Sequence, residues 1–544
     1  MSRDIKSVLD RGDKLFGKRG ILMTLWQEIA DNFYPERADF TEERSLGEEF
    51  AGNLDTSYPL IARRDLGNSF SSMLRPTAKE WFNTSITRED KLDTEGKSWL
   101  EWATALQRRA MYDRKSNFLR ATKEGDHDFA TFGQTVLSVE MNLTDMRLLY
   151  RSWHLRDVAW SENSSGEIDT IYRKWKPFAV DLGQLFPDKL HPKTQEAVIK
   201  DPFKEVDVRH IVVPAMMYKN DDDKEWPERF VSLYVDVANK HVMEAVSVPT
   251  LGYIIPRFQT VSGSQYAYSP ATVCALPDAR LIQAMTSVLL DAGEKAVNPP
   301  MIAVQEAIRS DLSVYAGGVT WVDEKYDERM GEVLRPMTID RSGIPLGIDM
   351  RRDTAAMINE AFYLNKLTLP QMGPEMTAYE VGQRVQEYVR QALPLFEPVE
   401  HDYNGAMCEE TFTLLQRYGA FGSPYDLPES LRGQEIHFKF ESPLHEAIEK
   451  QEGAKFMESA QMLQVASEVD PMVVANVDIH KAFRDVITSI KAPADWLVGE
   501  EQAAETIAQI QQKQQEQAMM EQVQQAGEVA EQVGAGGKAM EEVA

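Results

Sequence analysis

The sequence predicts an α+β fold, mainly helical, with a β-rich insert, and three observations carry the prediction. Apolar residues recur at three- and four-residue spacing through most of the chain. Between residues 135 and 259 that pattern gives way to short β-rich runs divided by turn residues, and after Pro277 helical periodicity returns, cut at intervals by proline. The chain has 544 residues, 43% hydrophobic and 27% charged, enough for several lobes with sizeable cores and far from the composition of a disordered chain.

Residues 5–34, 58–74 and 92–124 read as helices, with Leu22, Leu25, Trp26 and Ile29 along one face of the first. In the insert, HLRDVAW and EIDTIYRKW flank a Ser/Asn/Gly cluster at 161–166, a hairpin signal. A second set, VDVRHIVVPAMMY, RFVSLYVDV and HVMEAVSV, is joined by the acidic connector 220–225 and the Asn239-Lys240 turn. An antiparallel sheet among helices is expected. Residues 258–277 contain Gln, Ser, Thr and two prolines and read as a loop. A helix is then expected from an Asp278 cap, with Leu281, Met285, Val288 and Leu289 on one face, ending at Asn298-Pro299-Pro300.

Residues 301–348 mix strand-like pieces with glycine and proline, and a second helix is expected from Asp349 to about Leu367. It is interrupted at Leu369, Pro370, Gln371, Met372, Gly373 and Pro374, resumes at Met376 with Val381, Val385, Tyr388 and Val389 in register, and is bent by Pro394 and Pro398 before ending near Tyr418. Further helices with breaks at Pro471 and Pro493 precede a Gln-rich, helix-favouring tail from 499.

Fifty-nine basic against 86 acidic residues leave a net charge of −27, the wrong sign for general adhesion to DNA. Cys274 and Cys408 offer neither a CxxC pair nor a disulfide framework. The charged N-terminus, and a longest uncharged stretch (258–277) that is too polar and proline-broken for a membrane span, lead to the expectation of a soluble chain that does not use a secretory signal.

Gly12, Gly17 and Lys18 fit a phosphate-binding G-x-x-x-x-G-K-[ST] pattern, but Arg19 stands where the magnesium-binding hydroxyl belongs, and no strand precedes it. A solvated helix is the better reading. Asp221, Asp222 and Asp223 lack the glycine and spacing of a calcium loop, and the nine histidines show no HExxH. No G-x-S-x-G surrounds a serine, so no catalytic, metal or cofactor site is expected. The pairs Arg63-Arg64, Arg108-Arg109 and Arg351-Arg352 read as solvated faces.

The order helix, proline-bounded insert, helix, Pro/Gly loop, long kinked helix resembles the portal proteins, or head-to-tail connectors, of short-tailed double-stranded DNA bacteriophages. Four stretches carry the resemblance: LDTSYPLIARRDLGNSFSSMLRPTAKEWF at 54–82, YAYSPATVCALPDARLIQ at 266–283, VNPPMIAV at 297–304, and MTAYEVGQRVQEYVRQALPLFEPVEHDY at 376–403. The last is similar to the family's Thr-Ala-x-Glu helix, with Thr377, Ala378 and Glu380 kept and Tyr379 where threonine is usual.

The resemblance implies a portal-like fold: a wing over 1–277 with its sheet at 135–260, stem helices at 278–298 and 349–368, a clip at 299–348 and a tunnel loop at 369–375. A long helix and wing return would follow at 376–442, a crown at 443–498, and a helical tail or barrel at 499–544. It further implies a non-enzymatic twelve-subunit ring in the virion, at one capsid vertex, assembled in the host cytoplasm. There it would nucleate the shell with the major capsid protein and scaffold, dock the terminase large subunit and later the tail or adaptor proteins, and pass double-stranded DNA without entering a membrane.

Tunnel-loop residues Leu369 to Pro374 would line the channel, Lys366, Arg351 and Arg352 would meet DNA or a partner, and Trp321, Asp323, Glu324, Lys325 and Tyr326 would sit in the docking clip. Twelve copies would bring 324 surplus negative charges, a surface that opposes adhesion of passing DNA or, as the alternative, only keeps a large assembly soluble. The alternatives are a packaging NTPase or nuclease, resting on the incomplete phosphate loop, and an internal virion or scaffold-like protein, resting on the Gln-rich tail.

Overall fold

The computed structural model describes residues 4–303, 334–337, 343–367, 399–423 and 427–440, apart from positions 46, 50, 53, 78, 88–91, 143 and 220–224. Isolated residues are described at 321, 329, 397, 459, 462–464, 482, 506, 509 and 512–513. Two units separate by contact, one of residues 1–81, 107–420 and 440–444, the other of 82–106, 421–439 and 445–544.

The chain opens with α1 (Ile5–Gly17) and α2 (Gly20–Phe33), followed by α3 (Tyr58–Leu74), β1 (Phe82–Ile86), α4 (Thr94–Met111) and α5 (Phe118–Phe132). The helix expected over 5–34 is thus two, broken where Gly17 and Gly20 flank Lys18 and Arg19. The helix expected over 92–124 is also two. Asn117, at φ 57°, takes the left-handed conformation that an asparagine tolerates and restarts the chain as α5.

The β-rich insert holds two antiparallel sheets. Strands β2 (Val136–Asn142) and β3 (Arg147–Trp153) pair with each other, and β2 also pairs with the later β9 (Tyr253–Ile254). Strands β4 (Val158–Glu162), β5 (Ile168–Trp175), β6 (Val208–Pro214), β7 (Phe230–Asp236) and β8 (His241–Val248) form a five-stranded meander in that order. Both expected hairpin sets are present in it. Lys240, at φ 50°, closes the β7–β8 turn, and the Asp236 carboxylate accepts from the Asn239 amide.

Two short helices between β5 and β6, α6 (Ala179–Leu185) and α7 (Pro192–Lys200), were not expected from the sequence. Their lengths are below what periodicity resolves, and tertiary contacts hold them: Leu182 and Phe186 close a core with Val208 and Met243, and Thr194 of α7 donates to the buried Asp236 carboxylate at 2.5 Å. Helix α1 covers the five-stranded sheet with Val8, Leu9 and Leu15 against Tyr172, Ile211 and Leu233.

Beyond the sheets come α8 (Pro270–Val297), the pair β10 (Met301–Ala303) and β11 (Leu334–Pro336), α9 (Gly343–Ala361) and α10 (Leu364–Leu367). A π-helical turn at Val399–Gly405 leads into α11 (Ala406–Arg417), and β12 (Ile436–Phe440) follows. Of the smaller unit the structure describes β1, residues 94–106 of α4 and the return through β12. Its strands pair with each other, and Ile86, Leu100 and Leu431 form its core.

The larger unit's core is aromatic. Trp26, Phe33, Phe70, Phe129 and Phe132 are almost wholly buried, with Trp26 edge-on to Phe132 and Tyr266. Two buried cations, Arg63 and Arg75, and the partly exposed Arg37 are threaded through it. Arg37 pairs with Asp128 at 2.8 Å, Arg75 holds Asp126 and the Asn404 amide oxygen, and Arg63 lies over the Tyr34 ring and against His127 Nδ1 at 3.2 Å. Burial, with Arg63 beside it, pulls His127 down to about 4, so the ring is neutral near pH 7. Burial also pushes the Asp126 carboxyl up, against the pull of Arg75.

Candidate functional site

Helices α8 and α9 pack side by side and form the longest helical feature among the described residues. By length and composition α8 would suffice to cross a bilayer, yet it packs along α9, α2 and α5. It starts at Pro270, earlier than the Asp278 cap expected, so residues 270–277 are helix and not loop. Ser269 is the cap: its hydroxyl accepts from Thr272 N at 3.5 Å and donates to Ala130 O at 2.6 Å. Pro277 sits inside the helix, where it leaves the Val273 carbonyl without its usual donor on a side that solvent reaches.

The root of α8 is fixed at several points. Thr272 donates to Thr131 O at 2.8 Å, and Arg280 pairs with Glu28. Gln283 clamps the chain before α3: its Oε1 accepts from Asp55 N and Thr56 N, and its Nε2 donates to Thr56 O, each at 2.9 Å. Two of the stretches singled out in the sequence, 54–82 and 266–283, therefore meet through a side chain that sequence reasoning did not nominate. An isolated glutamine in a helix carries no pattern that would have found it.

Between the helices, Gly347 allows close approach, since a Cβ there would come within 2.9 Å of Leu289. Thr354, Ile358 and Phe362 are buried, the last against Phe33 with ring centroids 5.4 Å apart. Helix α9 begins at Gly343 instead of Asp349 and stops at Ala361, because Tyr363 takes a positive φ of 58°. The outer faces of the pair leave Val288, Leu290, Leu346 and Met357 more than half exposed.

Arg351 and Arg352 lie on the exposed side of α9, and Arg352 is within 3.9 Å of Asp349 one turn away. Lys366 belongs to α10. Trp321 is 69% exposed. Asp323, Glu324, Lys325 and Tyr326, the loop residues Leu369, Pro370, Gln371, Met372, Gly373 and Pro374, and the run Asp221 to Asp223 lie outside the described residues, as do the helices expected after Pro443 apart from the isolated positions named above.

The residues of the incomplete phosphate loop are taken up by packing. Gly12 faces Tyr172, whose ring a Cβ would strike at 2.6 Å, and Lys18 points to solvent. Arg19 is buried and donates to the carbonyls of Leu155, Arg156 and Val158 at 2.7 to 2.9 Å. Among the described residues no group of three or more His, Cys, Asp or Glu is placed to hold a metal ion.

The described residues form a mixed helix-and-sheet body carrying a long, anchored helix pair with partly exposed apolar faces. The chain belongs to the bacteriophage head-to-tail connecting protein family, whose profile matches residues 6–498. It is 24% identical over 453 residues to the "Probable portal protein" of Bordetella phage BPP-1, covering 81% of this chain and 79% of that one. It is 20% identical over 500 residues to the "Portal protein" of Salmonella phage epsilon15, covering 90% and 87%. Among solved structures, the virion of a native gene transfer agent particle matches at 10% identity over 76% of this chain and 87% of the other, with a TM-score of 0.33. As a member of this family the chain is a structural component and not an enzyme.

Proposed function

We propose that the chain is the portal subunit of a phage virion, assembling as a ring at one capsid vertex through which DNA enters on packaging and leaves on ejection. The observation that carries this reading is family membership over residues 6–498, together with two relatives named as portal proteins that align along most of their length. In this reading the helices and sheets of residues 1–277 that precede α8 are the wing, and α8 and α9 are the stem. The segment between them, opened by the β10–β11 pair, is the clip that meets terminase and then tail proteins. Residues 369–375 form the tunnel loop, and the crown and tail follow from 443. The partly exposed apolar faces of α8 and α9 support the assignment of those helices to subunit packing, since a lone monomer gains nothing from them.

A ring of twelve copies is the expected assembly, with capsid protein, scaffold, terminase and tail adaptors as partners. Negative-stain images and native mass spectra of the purified chain test it. Rings with a central hole are expected, and monomers at micromolar concentration would overturn the assignment.

A further inference from the structure

Residues 107–123 carry six cationic side chains against one carboxylate, in a chain whose net charge is −27. Arg109, Arg114, Lys115, Arg120 and Lys123 are all exposed. Lys115 and Arg120 have surface ion pairs, with Asp145 at 3.1 Å and Glu124 at 3.2 Å, which water screens heavily. Arg109, Arg114 and Lys123 have no ion pair among the described residues. This charge is also placed against the local backbone field. The first turn of α5 holds no acidic residue but does hold Arg120, and Lys123 follows a turn later, where the helix already presents positive partial charge. A fold gains nothing internally from that arrangement, whereas an incoming anion would.

A cleft of about 390 Å³ opens beside these residues. Its apolar floor is Pro76, Phe118 and Leu119, hydroxyls come from Ser71 and Thr122, and Lys123 stands in its wall. Arg75 also lines it, but Asp126 and Asn404 already hold that guanidinium, so Lys123 is the cation left for a ligand. Leu119 is 54% exposed at the cleft. A DNA backbone would satisfy the cations and leave the apolar floor wet, because phosphates carry no side chain to fill it. A peptide that alternates carboxylates with an apolar side chain satisfies both.

We propose that this face of the larger unit docks an acidic peptide segment of a partner protein, with an apolar side chain seated on Leu119 and carboxylates against Arg114, Arg120 and Lys123. The inference stands apart from the channel reading, because none of these residues belongs to the α8–α9 pair. The test uses the full chain and a fluorescein-labelled peptide of alternating Glu and Leu, beside its Gln/Leu counterpart and a short duplex DNA.

The Glu/Leu peptide is expected to bind, and Arg114→Glu with Lys123→Glu to weaken it about tenfold or more. Leu119→Asn, which keeps every charge, should weaken it by a smaller factor. The Gln/Leu peptide should bind no better than the charge-reversed variant does. Duplex DNA bound as tightly and lost in the same variants would make the patch a phosphate site and overturn the proposal. So would undiminished peptide binding by Leu119→Asn, or absence of peptide binding by the parent. If charge reversal dissociates the ring in native mass spectra, the occupant is a second copy of the chain and the proposal falls.

Discussion

Arg19 shows how much one side chain's surroundings decide. In the sequence it is the residue that spoils a phosphate loop; in the fold its guanidinium satisfies three carbonyls around 155–158 while stacking near Phe16 and Trp26. Arg19→Met would leave those acceptors orphaned and should destabilise the chain by about 3 kcal/mol, read as a lowered midpoint in urea. Lys18→Ala, at an exposed site, should stay within about 0.5 kcal/mol and change no assembly property. ATP hydrolysis by the parent that Lys18→Ala removes would contradict the structural assignment. Two titratable groups act in opposite senses. His127 has a folded value near 4 against 6.5 unfolded, so the unfolded chain binds the extra proton between those values, and stability falls as pH drops through that window, by about 3 kcal/mol at its foot. Burial pushes Glu410 up to about 7 although it bonds Thr250 and the 251–252 backbone, so its contribution falls as pH rises through the range between 4.5 and 7. His127→Asn and Glu410→Gln should therefore tilt the stability-pH curve in opposite directions. Parallel curves for the two variants from pH 4.5 to 7.5 would refute both readings.

At the scale of elements, legibility followed length and periodicity. The helix expected at 58–74 is α3, and the strands expected as two hairpin sets are β4 to β8, because an amphipathic stripe or an alternating run bounded by turn residues is a local signal. The short α6 and α7 are illegible because tertiary contacts made by Leu182 and Thr194, not a local pattern, hold them in place. The start of α8 is hidden for a different reason: Pro277 reads as a boundary in the sequence, while the cap that counts, Ser269, gains its strength from Ala130, 139 residues away. The same junction carries a glycine whose importance appears only in three dimensions. Gly133 ends α5 at φ 72°, and a Cβ there would lie 2.0 Å from the Tyr268 carbonyl carbon, a backbone atom that cannot swing aside. Gly133→Ala should cost about 3 kcal/mol or more through strain and displacement of the α8 cap together. Thermal unfolding measures the loss, and hydrogen exchange should show it concentrated at 130–136 and 266–273. An unchanged midpoint would mean that the α5–α8 junction is not held as described.

For the whole molecule, charge and assembly set the terms. Residues 499–544 contain no aromatic side chain and lie beyond the family match, so they offer little to a main interface. Truncation after Trp496 should leave rings intact in native mass spectra, and loss of every oligomer would show that the tail holds them together. The strongest demand on the proposed ring is at its narrowest point. Pro370, Gly373 and Pro374 make continuous helix through 369–374 unfavourable, so a break is expected between two helical stretches. Leu369, Gln371 and Met372 would offer neutral contacts to a duplex carrying one phosphate per ~1.7 Å of axis, and a surface of strong net negative charge would discourage long-lived adhesion. Gln371→Arg inserts one phosphate-binding cation per subunit at that point without touching the helices that would hold subunits together. Rings should still form, while packaging and ejection slow at low salt and recover as salt rises, since each released counterion steepens the salt dependence. Particles of this variant that package and eject at the parent's rate at both salt levels would place the loop away from the path of the DNA.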